Sequence, residues 1–281
     1  MLSQYSGTLN YILYNYYNFT FGLINMNTKI EWKPEWKKDV VYLFVFPRKM
    51  SRGVPNFSPF AVKLETWLRV NNITYEIVDH LGMSSKGQSP FIMFNEKEYP
   101  DSNFIVEFLT DYFSVTMEKC LSEVERAISR AFLVMIEDHM TWSIFYYRYV
   151  EHFLDEYKDY LIAEGDEQQR IGFMKGLGES VRKRAEAHGI GRHSSDEIYK
   201  IGSDDIRAIS KYLGDKTYMM GEHITLIDCC LFGFITQITD VPIGFPMRDV
   251  IQKECDNLIQ YIDRIKSKYW SDWDDYRKDL I

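Results

Sequence analysis

An α/β domain followed by an all-helical domain is the architecture this sequence predicts, and three observations predict it. A β-branched and aromatic run, Val40 to Phe46, leads through a Ser-Pro helix start to a second strand and a proline-led pair of short strands. From about residue 117 onward, helix-forming stretches follow one another. The chain has 281 residues, 46% hydrophobic and 26% charged, which suffices for two ordinary domains with apolar cores.

The first domain reads element by element. Val40 to Phe46, ended by Pro47, is a buried strand. A polar loop, Arg48 to Phe57, carries Gly53 and Pro55. Ser58 is a favoured N-cap and Pro59 suits the first helical position. Phe60, Leu64, Trp67 and Leu68 then recur at helical spacing, giving a helix from Ser58 to about Val70. Thr74 to Val78 is the second strand, parallel to the first through a right-handed crossover. Met83 to Gln88 has room for a turn or a short helix. Ser89-Pro90 leads into a third strand, Phe91 to Phe94, and Asn95 to Lys97 turns into a short fourth, Glu98 to Pro100. Asp101-Ser102 opens a helix with Phe104, Ile105, Phe108, Leu109 and Tyr112 on one side.

The second domain is read as helices throughout. Ser122 to about Asp155 is a helical stretch, with Ile128, Phe132, Met135, Ile136 and Met140 as its stripe. A second runs from about Asp166 to His188 and stops at Gly189. Ser194 with Glu197, and Thr225 with Asp228, are capping boxes that open two more. The helix from Leu226 to about Thr239 is apolar on nearly all sides, which places it at the centre of a bundle. Pro242 and Pro246 break the chain before a last helix from about Val250 to Lys268.

Composition narrows the function classes. A net charge of -8 argues against generic nucleic-acid binding. Cys120, Cys229, Cys230 and Cys255 form no Cys-x-x-Cys pair and no zinc spacing, so no metal site is expected and a reduced, cytoplasmic setting fits. His139, beside Glu137 and Asp138, reads as a solvated helix residue. Residues 1–28 carry no Lys, Arg, Asp or Glu, and Tyr11 to Ile24 is aromatic and aliphatic. That stretch lacks a signal peptide's basic start and is short of the ~20 residues a spanning helix needs. It reads either as a segment resting at a membrane interface or as a plain extension. Lys29 to Asp39, with Pro34, reads as a linker. The expected division is 1–38 extension and linker, 39–116 α/β domain, and 117–281 helical domain.

Ser58-Pro59-Phe60 at a helix start, Ser89-Pro90 before a strand, Asp101-Ser102 at the next helix start and the capped helix at Thr225 to Asp228 stand in one order. In that order they resemble the glutathione S-transferase superfamily. Lys63 to Arg69, Glu125 to Ala131, His188 to Arg192 and Leu213 to Lys216 narrow the resemblance to the failed-axon-connections proteins, relatives of metaxins and nematode cadmium-responsive proteins. The similarity runs from about Asp39 to Asp274. It implies a thioredoxin-like first domain and the glutathione-transferase fold overall. It also implies glutathione as ligand or cosubstrate, an apolar electrophile as second substrate, and a homodimer, the usual state of the superfamily.

The resemblance assigns site residues as well. Ser58 stands where a Ser, Tyr or Cys faces the glutathione sulfur. Lowering a thiol pKa by ~2 units takes about 3 kcal/mol. A helix N-terminus supplies roughly 0.3–2 and a hydrogen bond to a charged group about 1.5–3, so Ser58 suffices without another base. Ser in place of Cys argues against thiol–disulfide exchange through a protein thiolate. Ser89-Pro90 corresponds to a cis-proline step whose backbone pairs with the peptide. Asp101-Ser102 corresponds to the acidic-Ser pair that takes the γ-glutamyl end, since free N–H groups at a helix start bind carboxylates. Each of these residues also serves as an ordinary cap or turn residue. Arg48, Lys49 and Arg52 border the same mouth, and Trp142, Phe145, Tyr146 and Tyr149 are either substrate wall or helix-packing core. Two functions follow: a glutathione-binding protein of detoxification, stress response or axon development with weak or no conjugating activity, or a metaxin-like adaptor acting at a membrane or with a protein partner.

Overall fold

A computed structural model describes residues 30–152 and 167–276. Four strands form one sheet: β1 (Val41–Val45), β2 (Tyr75–Asp79), β3 (Phe91–Phe94) and β4 (Lys97–Pro100). The order is β2-β1-β3-β4, with β1 and β2 parallel and the other pairs antiparallel. Alternate residues of β1 face opposite sides, and both sides are covered, which explains its unbroken apolar run. Val41, Leu43 and Val45 pack on helices α1 (Pro59–Val70) and α2 (Ser102–Tyr112) through Leu64, Trp67, Ile105 and Leu109.

The other side of the sheet holds Tyr42, Phe44, Phe91 and Met93, and it is covered by Ile30, Trp32 and Trp36. Trp36 stacks on Tyr42 at 4.5 Å between centroids, and Trp32 meets Trp36 edge-on at 5.2 Å. Residues 30–36, read from charge and Pro34 as linker, therefore act as a lid on the sheet. Residues 83–88 form turns with no helix. The aromatic segment 11–24 lies outside the described residues.

The helical half begins with α3 (Glu123–Val134), a π-helical segment (Met135–Met140), α4 (Thr141–Phe145) and a second π segment (Tyr146–Glu151). Each i→i+5 segment shifts the side-chain register. Leu133, Ile136 and Met140 are buried, while Ile128, Phe132 and Met135 are only partly so. Then follow α5 (Glu167–His188), α6 (Ser195–Leu213) and α7 (Leu226–Thr239). The expected last helix is two, α8 (Pro246–Glu254) and α9 (Asp256–Tyr269). Cys255, at φ -134° and ψ 49°, breaks the helical path between them, and Pro246 opens α8 rather than ending a helix.

Residues 227–238 of α7 are all buried. Its capping box is closed: Asp228 accepts from the Thr225 N–H and hydroxyl at 2.7 Å each, from Met219 N–H at 2.7 Å and from Tyr261 at 2.9 Å. Burial pushes the Asp228 carboxyl up, and those four donors oppose the shift. α7 crosses α1 at Gly233, where a Cβ would stand 2.6 Å from Pro59 O and 2.9 Å from Lys63 N. No side chain fits there, so glycine sets how closely the halves approach.

After α9 the chain returns to the first domain. The Trp270 indole N–H donates to Thr66 at 3.0 Å, and the Arg69 guanidinium lies over the Trp270 ring at 3.7 Å. Arg69 also binds both oxygens of Asp272, at 2.6 and 2.8 Å, and Gly53 N–H donates to Tyr276 O at 2.9 Å.

Candidate functional site

The candidate residues gather at one end of the sheet. Phe44 pairs with Phe91 and Phe91 with Pro100, so the end of β1, the start of β3 and the end of β4 lie side by side. Ser89-Pro90 enters β3 there, through a peptide bond that is cis. Asp101-Ser102 leaves β4 there, and Ser58 is tied to the end of β1 because Asn56 donates to Phe46 O at 2.7 Å.

Ser58 caps α1, its hydroxyl oxygen accepting from Ala61 N–H at 3.4 Å, and its own N–H donates to Asn56 Oδ1 at 3.0 Å. No described residue accepts its hydroxyl proton. Asp101, at φ 73°, caps α2 by accepting from Asn103 and Phe104 N–H at 2.9 and 3.3 Å. Its other oxygen takes the Gln88 amide at 3.4 Å, which links Asp101 to the turn that carries Ser89.

Ser102 sits on a network that sequence patterns did not disclose. Lys63 of α1 has no exposed surface. Its three protons face Asn103 Oδ1 at 2.5 Å, Glu137 Oε1 at 2.6 Å and Ser102 Oγ at 3.4 Å. Asn103 donates to the other Glu137 oxygen at 2.7 Å, and the Cys230 thiol points at Glu137 at 3.6 Å. An ammonium can only donate, so Ser102 Oγ must accept from it. The Ser102 proton is then not used in that bond, and no described residue accepts it. Lys63 and Glu137 neutralise each other within this buried network.

The remaining candidates divide. Arg48 is half-buried, bound to Glu65 at 2.7 Å and to Tyr276, so it belongs to the contact with the C-terminal segment. Tyr146 and Tyr149 are buried, whereas Trp142 and Phe145 are half-buried. His139 is half-exposed and pairs with Asp205 at 2.7 Å. Cys229 and Cys230 are fully buried, and burial pushes both thiols well up, which keeps them protonated.

A thioredoxin-like domain, its helices capped by Ser58 and Asp101, against a helical bundle defines a glutathione S-transferase-like protein. The family models of the glutathione S-transferase N-terminal domain and C-terminal domain match residues 59–154 and 202–265. The chain belongs to that family. Within it, the chain is similar to Failed axon connections of Drosophila melanogaster, 34% identical over 265 residues. The match covers 86% of this chain and 61% of that protein, so the chain spans about three fifths of its relative's length. The isoprene-epoxide–glutathione S-transferase of a Rhodococcus strain is 27% identical, over 77% of this chain and 94% of that one. Mouse metaxin-2 is 20% identical, over 76% and 82%. Among solved structures, the beta-etherase LigF from a Sphingobium strain superposes with a TM-score of 0.55 at 15% identity, over 81% of this chain and 95% of that one; it supports the fold alone. Among the described residues, no helix is long and apolar enough to cross a membrane.

Proposed function

We propose that the chain binds glutathione and conjugates it weakly or not at all. The γ-glutamyl end lies at Asp101 and Ser102, its ammonium toward the Asp101 carboxylate and its carboxylate toward the Ser102 hydroxyl, with the peptide backbone at Ser89-Pro90 and the sulfur at Ser58. The observation that carries this reading is the pair of hydroxyl protons, on Ser58 and Ser102 at one end of the sheet, that no described residue accepts. The similarity to a glutathione-using epoxide transferase over nearly its whole length supports it. A cytoplasmic role in detoxification, stress response or axon development fits the same reading.

Titration calorimetry of glutathione into the full chain tests it. Ser102→Ala removes a hydrogen bond to a charged group, about 1.5–3 kcal/mol, so affinity should fall at least tenfold. Ser58→Ala should bind almost normally but leave the bound thiol protonated to higher pH. No heat and no thermal stabilisation at millimolar glutathione would sink the proposal. The second reading, an adaptor acting with a protein or at a membrane, rests on the similarity to metaxin-2 along most of its length. That outcome would favour it.

A further inference from the structure

We propose that Arg148 and Gln237 of the helical domain are positioning residues for Ser58. The inference deepens the glutathione reading of the site and rests on it. Residues 56–58 form the turn that aims the Ser58 hydroxyl, and two of their carbonyls are gripped from the other domain. Arg148 Nη1 donates to Phe57 O at 2.6 Å, and Gln237 Nε2 donates to Asn56 O at 2.9 Å. Arg148 is 1% exposed and Gln237 is 0% exposed. The two are joined to each other, Arg148 Nη2 donating to Gln237 Oε1 at 2.9 Å.

The directions of these bonds form a relay with one consistent sense. A guanidinium only donates, so it turns the Gln237 carbonyl toward itself and the Gln237 amide nitrogen toward Asn56 O. Phe46 O only accepts, so it draws the Asn56 amide nitrogen and turns Asn56 Oδ1 toward the Ser58 N–H. Each end of the relay fixes the group next to it; the two ends meet at Asn56, which holds Ser58 by its N–H. Adhesion between domains does not need this arrangement. The close crossing at Gly233 already joins α1 to α7 by apolar packing, and a buried guanidinium is a costly way to add more. What polar bonds add is a fixed geometry, and a serine that hydrogen-bonds a thiolate depends on geometry within a fraction of an ångström.

The test uses the full chain as wild type, Gln237→Glu and Arg148→Lys. Gln237→Glu keeps the acceptor for Arg148 but sets an oxygen against Asn56 O; Arg148→Lys keeps a single donor and is the milder change should the other destabilise the fold. Three quantities are read: thermal unfolding, affinity for S-methylglutathione, which has no thiol, and the pH at which the thiolate absorption band of bound glutathione appears. Folded variants should bind S-methylglutathione within about twofold of wild type, because Ser102 is untouched. Their bound thiol should titrate about one pH unit higher, roughly a tenfold loss of thiolate below that pH. Variants that fold, bind and ionise the thiol like wild type overturn the proposal and leave Arg148 and Gln237 as a structural stitch. A wild type whose bound thiol ionises no more readily than free glutathione overturns it too. A wild type that binds neither ligand overturns the glutathione reading itself, and the positioning role falls with it.

Discussion

Lys63 lies wholly inside the protein, and each of its protons has an oxygen to face. Lys63→Met would strand the Glu137 carboxylate in a buried place without its cation. Breaking one partner of a buried pair costs about 3–5 kcal/mol. Replacing both, as Lys63→Met with Glu137→Leu, should recover most of that loss, and urea unfolding of the three variants decides it. The double variant also frees Ser102 from its donor, so its glutathione affinity should not recover with its stability. At this scale the sequence was legible where the rules are local. Ser58, Asp101 and the Thr225–Asp228 box are caps, and caps are recognised from the residues beside them. Lys63 and Glu137 are 74 positions apart, and no spacing along the chain records their meeting.

Helix boundaries were legible to within a few residues wherever a cap or a proline marks them, as at Ser58-Pro59 and Ser194. Where no such marker exists they were not. The π segments at Met135–Met140 and Tyr146–Glu151 have no residue signature, yet they rotate the faces that α3 and its continuation present. The break at Cys255 likewise arises in tertiary packing, where Cys255 is buried in the core between α8 and α9. Gly233 is the element-scale constraint with a sharp consequence. Gly233→Ala forces a methyl group against backbone atoms of α1 that cannot rotate away, and should destabilise by about 1–3 kcal/mol. Gly172→Ala, in α5 with nothing within 4 Å of the new methyl, should instead stabilise by about 0.5–1 kcal/mol. Opposite signs from one substitution, read by thermal unfolding, would separate packing from helix propensity.

The order of the two halves and the glutathione-transferase fold were evident from the chain as a whole. What joins the halves was not, because the joining residues are far apart in sequence and meet only in the folded chain. Glu65 gathers Arg48, Arg69 and Tyr75, and Arg69 extends the cluster to Asp272. The hydrogen bond from Arg69 holds the Asp272 carboxyl below its ordinary value of 3.8. A depressed carboxylate contributes fully above that value and less as the pH falls through its folded-state pKa. Wild type should therefore lose more stability than Asp272→Asn between about pH 5 and pH 2. Asp272 is 36% exposed, so screening keeps the difference within about 1 kcal/mol. Chemical unfolding across that range measures it.

The ribosome makes the sheet and α1 before the Trp270–Tyr276 segment. Yet Thr66, Arg69 and Gly53 find partners in that later segment. The earlier domain is thus finished only by residues made after the helical one. A chain halted anywhere before Trp270 carries α1 with Thr66 and Arg69 still lacking those partners, its first domain folded but not yet closed.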